Sequence, residues 1–126
     1  MKRRILLLNL LFLFLLAVAC NQKPEIDISK TVGMTEDYFR QLDEISTTSA
    51  AYNKEKVKFR LMVEKPPSKE EASAMFKEIL NKLEKNSHTS EFWNYYNGHF
   101  DIKSYENGVI FEANKSIGED MKSTTK

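Results

Sequence analysis

A strand that runs directly into a capped helix constrains this chain more than any other stretch. In Lys56–Glu64, the residues Val57, Phe59, Leu61 and Val63 alternate with Lys58, Arg60, Met62 and Glu64. Successive side chains of a strand point to opposite faces, so one face must be buried and the other meets water. Pro66-Pro67 end the strand, because neither can donate a ladder hydrogen bond. Ser68 with Glu71 makes a capping box, and Ala72, Met75, Phe76, Ile79, Leu80 and Leu83 follow as one apolar stripe. The spacing predicts a helix over Ser68–Lys85, with Lys82 and Lys85 at the negative end of its dipole and Asn86 as its stop.

The remaining segments supply partners for this pair. Asn107-Gly108 predicts a two-residue hairpin turn within His99–Lys115. That turn pairs Tyr105 with Ile110, Lys103 with Glu112 and Asp101 with Asn114 on one face. Ile102 with Ala113 and Ser104 with Phe111 fall on the other. Tyr38, Phe39, Leu42 and Ile45 predict a short helix over roughly 36–43, followed by an extended run ending near Tyr52-Asn53-Lys54. The expected fold is therefore α+β: a small antiparallel sheet of three to four strands with one long amphipathic helix packed on one face. Residues 34–118 form the single domain in this reading, and 119–126 a disordered tail.

The first twenty residues read differently. Lys2-Arg3-Arg4 precede an apolar run from Ile5 to Leu16, broken only by Asn9, and Ala17-Val18-Ala19 lead into Cys20. A cationic start, an apolar middle and a small-residue step are the parts of a secretory signal, expected over 1–19 and outside the fold. Cys20, the only cysteine, stands where the lipobox of bacterial lipoproteins places the lipidated residue. That resemblance implies a covalent diacylglycerol and an N-acyl lipid on Cys20, and no other cofactor. Two acyl chains anchor durably where one is marginal. The polar segment 20–33 is then a flexible tether, and the localisation expected is the cell membrane, lipid-anchored and facing outside the cytoplasm. Without Lys2, Arg3 and Arg4, 16 Lys and Arg stand against 18 Asp and Glu, a net charge of −2. Nucleic-acid binding normally requires a basic stripe, so that partner is excluded.

Catalytic constellations are missing from the pattern. His88 and His99, the only histidines, have no metal-ligand spacing, so no metal is expected. There is no Gly-rich phosphate loop and no Gly-x-Ser-x-Gly elbow, and the acidic pairs Glu36-Asp37 and Glu70-Glu71 sit at helix starts where the dipole accounts for them. The expectation is no enzyme. Phe92, Trp93, Tyr95 and Tyr96 crowd into five residues. Trp and Tyr dominate binding hot spots, so Trp93, Tyr95 and Tyr96 are the candidate binding patch, against the plainer expectation that they close the end of the core. The outer sheet face, with Arg60, Met62, Tyr105 and Ile110, is a second candidate.

The chain as a whole resembles short lipoproteins of Bacillus-type bacteria, and among them the YddJ-type exclusion lipoproteins of integrative and conjugative elements. The resemblance rests on size, on the LAVAC ending, and on VKFRLMVEKPPSKEEA and ENGVIFEANK. It implies a protein that stops its cell from receiving a redundant copy of the element by acting on membrane-located transfer machinery. The function expected is protein–protein interaction with an envelope or conjugation-machinery protein. The alternative is a surface lipoprotein binding a small molecule or glycan.

Overall fold

The computed structural model describes residues 24–125. The signal segment 1–19, Cys20 and the start of the tether lie outside the described residues. Helix α1 (Ile28–Arg40) leads to strands β1 (Thr47–Tyr52) and β2 (Lys56–Val63), then helix α2 (Lys69–Asn86). A single 3-10 turn at Phe92–Asn94 precedes β3 (Asn97–Ser104), β4 (Gly108–Lys115) and β5 (Lys122–Thr125). The five strands form one sheet in the order β1-β2-β3-β4-β5.

The sheet is mixed, where an antiparallel one of three to four strands was expected. β2 and β3 run parallel, from Lys56 beside Asn97 to Val63 beside Ser104; the other neighbours are antiparallel. The reason is α2: a full helix carries the chain back along the sheet, so β3 starts at the same end as β2. The added strand β5 forms within the expected tail, its Ser123 and Thr124 opposite Ala113 and Glu112.

α2 has the reciprocal cap, with Glu71 N–H donating to Ser68 Oγ at 3.1 Å and Ser68 N–H to Glu71 Oε1 at 3.2 Å. Ala72, Phe76, Ile79 and Leu83 are its buried residues. They meet Val57, Phe59, Leu61 and Val63 of β2, with Phe100, Ile102, Phe111 and Ala113 of the hairpin, in one core.

α1 starts eight residues before the expected helix, inside the segment read as tether. Asp27 caps it by accepting from Lys30 N–H at 3.1 Å. Thr31 and Thr35 reach burial by turning their hydroxyls onto the carbonyls of Asp27 and Thr31, each at 2.8 Å. Such back-bonding lets a threonine enter an apolar face, which hid the helical stripe of Val32, Thr35 and Phe39 from hydropathy alone. Thr35 Oγ1 also accepts from Asn86 Nδ2 at 3.0 Å, tying α1 to the end of α2.

The helices meet again at Tyr38, whose hydroxyl donates to Glu78 while Lys82 Nζ lies 4.1 Å from its ring centre. The bond to Glu78 raises the Tyr38 pKa above 10, with burial and the nearby carboxylate charges adding to it. A raised pKa stabilises the fold fully below the unfolded value of about 10 and loses that contribution as pH climbs through the folded one. Titration followed at 295 nm should show a tyrosine phase above the ordinary range. Tyr38→Phe should remove that late phase; its persistence would place the shift elsewhere.

The hairpin register also differs. β3 and β4 pair Asp101 with Glu112 and Ile102 with Phe111, two residues from the expected partners, with a bulge after Ile102. Gly108 has φ +71°, but Asn107 does not have positive φ, so a two-residue turn needing both is ruled out. Tyr105–Asn107 instead make a three-residue loop, held by Asn107 N–H donating to Ser104 Oγ at 2.9 Å. A slip of two keeps every side chain from 111 onward on its expected face. The bulge changes only the residues near the loop: Val109 lies opposite Lys103, and Ile110 packs against the core.

Candidate functional site

Both helices pack on the Phe59 side of the sheet, leaving its other side without a covering layer among the described residues. The strand registers line up side chains across this open face. One row runs Ser49, Arg60, Asp101, Glu112 and Thr124; the next runs Ala51, Lys58, His99, Asn114 and Lys122. Small residues on β1 leave a groove of about 330 Å³ beside Lys58, Arg60, His99, Asp101 and Glu112. This is the candidate site.

Its centre is an ion pair. Arg60 donates from Nε to Asp101 Oδ1 at 2.7 Å and from Nη2 to Oδ2 at 2.9 Å, the two-pronged geometry that fixes a guanidinium in plane. Those bonds hold the Arg60 guanidinium protonated more firmly than usual, against a smaller opposing effect of burial. The Asp101 side chain is only 8% exposed, whereas that of Arg60 is 38% exposed. Glu112 stands directly opposite Asp101, an unfavourable like-charge pair that the flanking cations of β2 offset. His99 Nδ1 lies 2.8 Å from Asn114 Oδ1, a pairing that the tautomer protonated on Nδ1 satisfies, because an amide oxygen only accepts.

The aromatic patch proposed from sequence is placed otherwise. Trp93 and Tyr96 are buried, and Tyr95 is half-buried. Phe92 stacks on Tyr96 with ring centres 4.7 Å apart, and Trp93 meets Phe92 and Phe100 edge-on. Trp93 Nε1 donates to the Leu80 carbonyl at 3.1 Å, which satisfies the polar end of the indole inside the core. The group closes the core between α2 and β3. A side chain this buried cannot serve as a contact surface without unfolding, which corrects the expectation for Trp93 and Tyr96.

Of the second sequence candidate, Arg60 and Met62 keep the outer face, Tyr105 is exposed in the hairpin loop, and Ile110 is turned inward by the bulge. His99, Asp101 and Glu112 escaped the sequence reading because their meeting depends on register. His99 and Asp101 share a strand face by their spacing of two, but only the observed pairing puts Glu112 opposite Asp101. A larger groove, about 570 Å³, lies at the start of α2 among Asp43, Glu44, Glu64, Glu71, Pro66 and Met75. No helix among the described residues is long and apolar enough to cross a membrane.

No protein-family model matches the chain, and no curated protein matches it. Among solved structures, it resembles one described as the sex pheromone staph-cAM373 precursor, with a TM-score of 0.50 and 17% identity. The match covers 84% of this chain and 42% of the other, so this chain spans less than half the length of that neighbour. At that identity the likeness concerns the fold alone.

Proposed function

We propose that this protein is a membrane-anchored extracytoplasmic lipoprotein acting by protein–protein interaction. Its most specific form is exclusion of a redundant conjugative element through contact with the transfer machinery. The signal-like Met1–Cys20 segment supports the anchoring half. The observation that carries the binding half is the sheet face left uncovered among the described residues, a broad surface that bears both cations (Lys58, Arg60) and carboxylates (Asp101, Glu112). Surfaces of this composition give specificity through charge complementarity more than through buried apolar area. Lipid anchoring would hold that face in the layer where envelope machinery is exposed and raise its effective concentration there. The alternative of glycan binding finds less support at the aromatic cluster, because Trp93 and Tyr96 are buried there; the exposed rings, Tyr52 and Tyr105, stand apart from it. The pheromone description belongs to the fold neighbour.

The test is acquisition frequency. Cells expressing the protein should receive the cognate conjugative element less often and an unrelated element at the normal rate. Cys20→Ala should abolish the effect, and reversing charges on the open face with Lys58→Glu should weaken it without changing the melting temperature. Equal frequencies with and without the intact protein would overturn the exclusion reading.

A further inference from the structure

We propose that His99, Asp101 and Glu112 form a transition-metal site on the open sheet face, and that Zn²⁺ is the ion their chemistry favours. The site goes beyond the interaction reading and does not depend on it. Each residue offers one ligand atom, and these atoms all lie within 4.8 Å of one another. Around a tetrahedral ion with bonds of ~2.1 Å, ligand atoms stand about 3.4 Å apart. Closing the difference takes a rotation of the half-buried His99 and Glu112 side chains, with Glu112 exchanging its present interaction for the metal, while Asp101 stays fixed by Arg60.

The hydrogen bonds prepare the ligands. In the tautomer protonated on Nδ1, which the bond to Asn114 Oδ1 suits, His99 keeps the lone pair on Nε2 for a metal. Such an outer partner, setting tautomer and ring orientation, accompanies nearly every metal-bound histidine. Arg60 takes one lone pair from each Asp101 oxygen, and a carboxylate has about four such positions, so capacity for a metal remains.

Charge decides which ion. Lys58 and Arg60 on β2 adjoin His99 and Asp101, and the resulting near-neutral field removes the attraction on which Mg²⁺ and Ca²⁺ depend. An imidazole nitrogen instead favours a borderline-soft ion that gains from nitrogen ligation, as Zn²⁺ does. Three protein ligands leave at least one coordination position to water in the groove.

The experiment titrates the full chain carrying Cys20→Ser, which removes the only cysteine, with ZnCl₂ and separately with MgCl₂ against a chromophoric chelator. One Zn²⁺ should bind per chain and no Mg²⁺ at equal concentration. His99→Ala and Glu112→Gln should each weaken Zn²⁺ by at least about tenfold. His88→Ala, which alters the only other histidine, should leave it unchanged, and melting without metal should confirm that each variant is folded. Should Glu112→Gln alone remain folded, it carries the test. Absence of Zn²⁺ binding, binding that survives the ligand substitutions, or binding lost with His88→Ala would overturn the site.

Discussion

Replacing Trp93 by alanine is expected to destabilise the protein by about 3–5 kcal/mol, the range for deleting a large buried aromatic. The ring is 7% exposed, its Nε1 bonds the Leu80 carbonyl, and it spans the gap between α2 and β3. Gly98 makes that position possible. A Cβ there would stand 3.0 Å from two carbons of the Trp93 ring and 2.9 Å from Phe100 Cζ, closer than side chains tolerate. Gly98→Ala should therefore cost about 1–3 kcal/mol in the parent protein through overpacking. Combined with Trp93→Ala it should cost less than the sum, because two of the three close contacts leave with the indole and only that to Phe100 remains; coupling of contacting residues runs to about 0.5–3 kcal/mol. Denaturant midpoints of the four proteins measure this directly. Strict additivity would show that the indole does not lie against Gly98.

Phe76→Ala should be as severe, again about 3–5 kcal/mol. Phe76 is 1% exposed near the middle of α2 and belongs to the core formed with β2 and the hairpin. A domain of this size holds about 5–15 kcal/mol in total, so the variant should melt far below the parent or fail to accumulate folded. An exposed position on the same helix, Lys77→Ala, should change stability by no more than about 0.5 kcal/mol. Equal melting of Phe76→Ala and the parent would mean that the α2 stripe faces solvent.

These expectations show where the fold was readable from sequence and where it was not. β2 was legible because its alternation is uninterrupted and each apolar residue goes to the core: Val57, Phe59, Leu61 and Val63 are all buried. The start of α1 was not, because its buried face includes Thr31 and Thr35, polar residues satisfied by bonds that no hydropathy pattern displays. Asn107-Gly108 announced a hairpin but not its register. The competing anchor was the Ser104 hydroxyl, which holds a longer loop. β5 has no apolar side of its own; its place comes from the free edge of β4, a property of the sheet and not of Lys122–Thr125. The open-face cluster has the same origin. Arg60 and Asp101 stand 41 residues apart in sequence, and nothing in either neighbourhood announces their ion pair.

That separation has a kinetic meaning. The β3–β4 hairpin and the β1–β2 hairpin each close through a few residues, and α2 forms from local contacts, so all three can appear early. Joining β2 to β3 requires a loop of about 40 residues to close before any of its ladder is made, and the entropy of that closure is spent in advance of the reward. Contact order therefore makes the parallel seam the expected slow step of assembly. The Arg60–Asp101 pair, one strand to each side of the seam, would register its completion.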